Sequence, residues 1–380
     1  MYLIDLICLV AAVGLALVFR ILHTTKLGAE IRFPLCGDAS VHFKIIQILR
    51  SKSPLHIPEY LIPGIMFYPV GFHRFASIFA SERLLNNAVV PNLLTYMVGL
   101  CIFIGYGSYL GHELGFESSS FAILLCLVFS VSVSNNYRGG PNKAYFGLSE
   151  RLLGKLCCNL FFLCLAGYLT LGDYLSAGLC ISFGALVVLT SKFGIQSILL
   201  CSALVAIIEH DFSPIVLLGI SLALAATVSR GYACRTFIGT LKYLYIYKTR
   251  NASSRFVADS MGRFWDFSDF TLRPNFLIFD VKKILHKIIF LEPGRAIIFF
   301  PETIFILIIV GSTGSGLLNS PLISVLISSL ILHAVTSFRS FSFAGEGYRY
   351  TEFCSGMIAP FLIVVGQFWR ADSAVLFFFF

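Results

Sequence analysis

Charged residues are scarce in this chain of 380 residues. They make up 13% of it, whereas hydrophobic residues make up 57%. A soluble domain carries roughly twice that share of charge and does not expose so much apolar surface. Tryptophan is also rare, at 2 residues, while 38 phenylalanines supply rings that have no polar group to satisfy. The composition excludes a water-soluble fold and indicates that lipid surrounds most of the chain.

The usual sequence signatures of metal and nucleotide sites are missing. The chain has no P-loop, no HExxH motif, no CxxC pair and no Asp-x-Asp pair. Most of its 11 cysteines lie inside apolar runs, where they read as small buried hydrophobic side chains rather than as a disulfide framework. We therefore expect no metal and no cofactor, and no nucleic-acid partner.

Apolar runs close to the length of a membrane span recur along the chain. A helix that crosses a bilayer needs about 20 mostly apolar residues. We predict spans at about 2–19, 88–110, 119–135, 156–171, 174–190, 195–209, 213–229, 296–311, 320–338 and 353–369, with a further run from Ala374. The fold class predicted is all-α, a polytopic transmembrane bundle of about 10–11 spans that forms one domain over residues 1–380. The last run stops at Phe380, which we interpret as a truncation or an incomplete span.

Two long polar segments, residues 20–87 and 230–295, interrupt the spans. Counting spans puts both on one side of the membrane, together with the loops at 136–155 and 339–352, and leaves tight turns on the other side. One face therefore looks like the working face. Its basic residues would place it in the cytoplasm by the positive-inside rule, but an outer face that binds anionic substrate would keep them too.

The first candidate cluster lies just after the first span, in Gly37-Asp38-Ala39-Ser40-Val41-His42. If a helix begins here, Asp38 is at its N-terminus and His42 lies one turn later on the same face. The pair then suits a general base, Asp38, with an orienting partner, His42. The alternative is that Asp38 is an ordinary helix N-cap.

The second cluster is Tyr68-Pro69-Val70-Gly71-Phe72-His73. Proline and glycine favour an irregular backbone before the next helix. Tyr68 and His73 then either face the same cavity as Asp38 and bind substrate, or belong to a structural turn with interfacial aromatic rings.

Two further clusters contain arginines suited to phosphate. Arg138 and Arg151 flank the start of one apolar run, and the alternative for them is a solvated loop and helix start. Arg349 lies in Gly345-Glu346-Gly347-Tyr348-Arg349-Tyr350, just before another apolar run, and its planar fork matches phosphate oxygens. The alternative for Arg349 is a surface salt bridge to Glu346 or Glu352.

Taken together, the first, second and last clusters resemble the GT-C superfamily of integral-membrane glycosyltransferases. They look closest to its bacterial polysaccharide members, whose first loop has an Asp and a His followed by a Tyr-Pro-x-Gly-x-His stretch.

The resemblance implies a sugar donor linked to a polyprenyl phosphate or diphosphate, and a glycan, lipid or protein acceptor. It implies that Asp38 is the catalytic base and that Arg349 meets the carrier phosphate. With the clusters above, we predict Asp38 and His42 as catalytic residues and, as substrate-binding residues, Tyr68, His73, Arg138, Arg151, Glu346, Arg349 and Tyr350. The chain lacks the acidic pairs of metal-dependent members. The resemblance also implies a working face outside the cytoplasm, in a multi-pass protein of a bacterial inner or plasma membrane.

Three other functions stay open on the sequence alone. A polysaccharide polymerase or flippase also has many spans and basic loops, but a flippase needs a charged central cavity. A solute transporter predicts inverted repeats with broken helices, and no matching halves are visible. A non-enzymatic membrane scaffold would make the loop clusters incidental.

Overall fold

The computed structural model describes residues 39–51, 68–78, 89–115, 118–131, 150–246, 320–345 and 347–360, with parts of 7–18 and 300–308. Of these residues, 89% are helical and none is in a strand. The all-α prediction is confirmed for this part of the chain.

The longer helices of the described part are numbered here in chain order. They are α1 (Leu9–Val18), α2 (Ala39–Arg50), α3 (Gly71–Ile78), α4 (Val89–Glu113), α5 (Ser118–Val131), α6 (Arg151–Leu171), α7 (Tyr174–Thr190), α8 (Lys192–Ile208), α9 (Ser213–Val228), α10 (Tyr232–Ile246), α11 (Pro321–Thr336) and α12 (Tyr348–Cys354).

Two of the described helices are long and apolar enough to cross a membrane by length and composition. They are the Leu94–Glu113 part of α4 and the whole of α6. Helices α1, α7, α8, α9 and α11 are apolar but shorter, at 10–17 residues. Most boundaries agree with the predicted spans, and α7 covers the predicted 174–190.

Local signals explain where several of these helices start and stop. Gly172 ends α6 in the left-handed conformation, with φ of 69°, which glycine adopts without a steric penalty. The Asp173 side chain then caps α7 by accepting from the Ser176 N–H at 2.8 Å. Prolines stand at the first turns of α9 and α11, where no backbone donor is needed.

Helix α6 lies at the centre of the bundle. It packs against α4, α7, α8, α11 and α12, and its middle residues, such as Phe161 and Cys164, have no exposed surface. Helix α12 is tied to this core by polar contacts. The Gly356 N–H donates to Asn159 Oδ1 at 2.9 Å, and His333 Nδ1 lies 3.0 Å from Thr351 Oγ1.

Two segments differ from the loops that the sequence indicated. Residues 232–246, in the second long polar segment, form helix α10, and Cys234 lies on that helix. Residues 348–354 form α12, which is packed inside the bundle and is not an exposed loop. In α10, apolar and aromatic side chains recur at helical spacing, so that helix has a face to bury. In α12, nearly all side chains are buried, including Thr351 and Glu352.

Candidate functional site

Four polar side chains from three separate segments meet at one end of the bundle. His42 Nε2 lies 3.0 Å from Glu150 Oε2. Tyr68 donates its hydroxyl to Glu150 Oε1 at 2.7 Å. His42 Nδ1 lies 2.9 Å from His73 Nε2. We call His42, Tyr68, His73 and Glu150 the buried network.

Three of the four members of the network are buried, and Tyr68 is half-buried. His42 is 5% exposed, His73 0% and Glu150 2%. The two imidazole rings stack with centroids 5.1 Å apart, and the Tyr68 ring meets His73 edge-on at 5.6 Å. Buried ionisable groups are costly unless they are paired. This arrangement is therefore either a structural contact between helices or a functional site.

Glycine allows the elements that carry the network to approach closely. At Gly71, the first residue of α3, a Cβ would lie 2.7 Å from the Leu189 carbonyl oxygen at the end of α7. At Gly154, one turn after Glu150, a Cβ would lie 2.4 Å from the Ser191 Cβ. Any larger residue at either position would push His73 or Glu150 away from its neighbours.

Two cations lie beside the network. Ser191 caps α8 by accepting from the Gly194 N–H at 3.1 Å, which places Lys192 in the first turn. Lys192 is 7% exposed and close enough to Glu150 and Arg349 for both charges to act on it. The Arg349 guanidinium stacks on the Phe193 ring, 3.7 Å from its centroid. One side of the network therefore has positively charged side chains, which α8 and α12 supply.

The charges of the network are set by burial and by each other. Burial favours the neutral acid of Glu150, but the charge and hydrogen bond of His42 outweigh it and hold the pKa of that carboxyl below its usual range. Because an ionised Glu150 only accepts, its 3.0 Å contact favours the His42 tautomer with the proton on Nε2. Burial lowers the pKa of His73 from 6.5 to about 3, and the neighbouring His42 acts in the same direction.

These shifts predict that the protein loses stability as the solution becomes mildly acidic. Between pH 6.5 and about 3, His73 binds a proton in the unfolded chain but not in the folded protein. The free energy of unfolding therefore falls as pH falls, by at most about 1.4 kcal/mol per pH unit. We expect wild type to lose about 1–2 kcal/mol between pH 7.5 and 5.5 in detergent-based unfolding. The lowered pKa of Glu150 adds to the loss at more acidic pH.

The control for this titration is a pair of histidine variants. His73→Gln removes the titrating group and should flatten the dependence over this range, whatever it does to stability at pH 7.5. His112→Gln removes an imidazole whose side chain is 70% exposed, and should keep the wild-type slope. A wild-type slope in His73→Gln would show that His73 does not titrate below its usual pKa.

The structure brings some of the predicted site residues together and leaves others apart. His42, Tyr68 and His73 are in the buried network. Arg151 directly follows Glu150 and is half-buried. Tyr350 is buried elsewhere, and its hydroxyl donates to the Ala344 carbonyl at 2.7 Å. Three predicted residues lie outside the described part of the chain: Asp38, Arg138 and Glu346.

The salt bridge that the sequence allowed between Arg349 and Glu352 is not formed. Glu352 is 3% exposed, and its Oε1 atom accepts no hydrogen bond from any part of the chain that the structure describes. Arg349 instead has its guanidinium over Phe193.

Sequence reasoning missed Glu150 and Lys192 as site residues. Both stand at helix starts next to other polar residues, where the simplest interpretation is a solvated helix end. The contacts of Glu150 with His42 and Tyr68 span 108 and 82 residues of sequence, so no local pattern marks them. A signal that was available is that Glu150 is the acidic residue next to Arg151 on the face predicted to be the working one.

Comparison with known proteins adds no identification. No protein-family model matches the chain, and no curated protein matches it. Within the described residues, no group of three or more His, Cys, Asp or Glu side chains is arranged to hold a metal ion.

Proposed function

We propose that this chain is an integral-membrane glycosyltransferase of the GT-C type. It would transfer a sugar from a polyprenyl-phosphate-linked donor to a glycan, lipid or protein acceptor, in a bacterial inner or plasma membrane. The observation that carries the proposal is the meeting of His42, Glu150, Lys192 and Arg349 at one end of a bundle of apolar helices. Acid–base groups and fixed cations beside apolar helices suit a substrate that is part sugar phosphate and part lipid.

The outer surface of the bundle supports a place in the membrane. Large apolar side chains are exposed along α7, α8 and α9, among them Leu175 at 53%, Ile207 at 66% and Val216 at 57%. Exposed apolar surface of this extent marks contact with lipid or with another protein. Together with the apolar composition, it favours a polytopic bundle in which the shorter helices also cross the bilayer.

The proposed reaction joins the acceptor oxygen to the anomeric carbon of the sugar. As that bond forms, the acceptor hydroxyl loses its proton and the bond from the sugar to the carrier phosphate breaks. Asp38, which directly precedes α2 in the sequence, would take the proton. His42 lies one turn further along α2 and contacts Glu150. This contact would position the start of α2.

The leaving phosphate takes the electron pair of the broken bond and gains negative charge. Lys192 and Arg349 would stabilise that charge, because fixed cations in a site shielded from water act strongly on charge that develops during reaction. The stacking of Arg349 on Phe193 limits the conformations of the guanidinium before substrate binds, which favours a defined contact.

The proposal is tested by a transfer assay on the full chain in nanodiscs. The donors are decaprenyl phosphate and decaprenyl diphosphate carrying radiolabelled hexoses, and the readouts are label in an added glycan extract and label released to water. We expect one donor series to be consumed at a rate well above the rate in empty nanodiscs. Consumption equal to that in empty nanodiscs for every donor would overturn the proposed function.

We predict that Arg349→Lys and Arg349→Ala both weaken binding of decaprenyl phosphate by roughly tenfold or more. A bidentate charge-assisted contact is worth about 1.5–3 kcal/mol, and lysine cannot reproduce the planar fork. Binding is measured on the purified variants by native mass spectrometry. Arg50→Ala, an exposed arginine in the last turn of α2, is the control and should bind as wild type does. Equal affinities for wild type and both Arg349 variants would leave Arg349 as an ordinary interface residue.

A further inference from the structure

An open groove runs alongside the buried network. Its first part has a volume of about 140 Å³ and lies where the start of α3 meets the ends of α7 and α9 and the start of α10. A second part of about 210 Å³ continues along α10. Val188 and Ala233 line both parts, so the two parts are adjacent.

The two ends of the groove differ in polarity. Arg74, whose side chain is exposed, and Tyr232 lie at the end next to the network. The far part is lined by apolar side chains, including Leu222, Phe237 and Ile238. Arg74 is near enough to Tyr232 for its charge to act on that phenol, whose pKa burial raises to about 12. The groove thus has a cationic end and an apolar end.

The walls of the groove carry charge of one sign. Residues 68–78, 174–190 and 213–246 contain no Asp or Glu, whereas they contain Arg74, Arg230, Arg235 and Lys242. Arg230 directly follows Ser229, which lines the polar end. An anionic head is therefore attracted to this end with no acidic side chain on these walls to repel it.

The polar end is also joined to the network. Tyr232 donates its hydroxyl to the Tyr68 carbonyl at 2.8 Å, and Tyr68 donates its own hydroxyl to Glu150. A head group bound at Arg74 would therefore lie near the residues proposed to act on substrate. Arg349 does not line this groove.

We propose that this groove binds a lipid with a phosphate head, the head at Arg74 and the hydrocarbon chain along Val188, Ala233, Phe237 and Ile238. The cationic end favours a negatively charged head group. The apolar end favours a phosphate that carries a hydrocarbon chain over a soluble phosphate. The site is separate from the one predicted at Arg349, and lipid binding here does not require the proposed glycosyl transfer.

The test is direct binding to the delipidated full chain, measured by native mass spectrometry. The probes are phosphatidic acid, phosphatidylcholine of the same chain length, and inorganic phosphate. We expect wild type to prefer phosphatidic acid and to bind inorganic phosphate at least tenfold more weakly. Arg74→Gln should weaken phosphatidic acid about tenfold and leave phosphatidylcholine nearly unchanged.

The second variant examines the apolar end. Cys234 lines that part and is exposed, so Cys234→Trp adds bulk at its edge without entering the core of the bundle. It should weaken both phospholipids severalfold. Lys44→Gln, an exposed cation on α2, is the matched control and should bind as wild type does. Unchanged binding in both Arg74→Gln and Cys234→Trp, or inorganic phosphate bound as tightly as phosphatidic acid, would overturn the proposal.

Discussion

Replacing Glu150 with glutamine is expected to lower the free energy of unfolding by about 1.5–3 kcal/mol, the usual worth of hydrogen bonds to a charged group. Glutamine keeps the shape of the side chain and can still accept from Tyr68. It removes the negative charge that faces His42 at 3.0 Å and that also acts on Lys192. His42 and Lys192 would then be buried without a carboxylate beside them. The rate of sugar transfer should fall as well, because the start of α2 would lose the contact between His42 and Glu150.

Unfolding of this variant can be followed with a thiol-reactive dye. Seven of the cysteines that the structure describes are buried, including Cys157 and Cys158, and they become reactive only when the bundle opens. The matched control is Glu113→Gln. Glu113 pairs with His112 at 3.6 Å on the surface, with side chains 43% and 70% exposed, so its loss should cost about 0–1 kcal/mol.

A double variant separates the structural and functional parts of this effect. Replacing His42 with glutamine in the Glu150→Gln background removes the unpaired imidazole as well. It should recover part of the lost stability and none of the activity. If Glu150→Gln proves as stable as wild type, Glu150 is not an ionised partner of His42, and the electrostatic account of the network is wrong.

Replacing Asp38 with asparagine is expected to reduce transfer by about 10²–10⁴-fold, the usual contribution of a general base. Asparagine retains the size of the side chain and its ability to cap a helix, so the melting temperature should stay near that of wild type. The reason for the loss is chemical: an amide cannot accept the proton of the acceptor hydroxyl. The measurement is turnover in the nanodisc assay with the donor that wild type consumes.

The control for Asp38 is an aspartate with an established capping role. Asp173 caps α7, and Asp173→Ala should cost about 1 kcal/mol of stability while leaving turnover per folded molecule unchanged. Near wild-type turnover in Asp38→Asn would make Asp38 an N-cap only and remove the base from the proposed mechanism.

Helix positions were predictable because their signals are local. A continuous apolar run, bounded by a glycine, a capping aspartate or a serine, marks α7 at 174–190 and α9 near 213–229 without reference to the rest of the chain. Helix α2, Ala39–Arg50, could be stated only as a condition, because its residues do not form a continuous apolar run. Tyr68 and His73 could be placed near His42 only as one of two alternatives, because their contact depends on how α2 and α3 pack.

The sequence by itself determined that this protein is helical and apolar, and that polar clusters concentrate between its apolar runs. Composition and periodicity are sufficient for that. Each helix makes its own backbone hydrogen bonds, and each apolar run can be recognised from its own residues. Only the tertiary structure decided which polar residues meet. Glu150 joins His42 and Tyr68 across more than 80 residues of sequence because α2 packs against α3, and α3 packs against α7. The burial of an ion pair is a property of that packing, and no stretch of sequence encodes it alone.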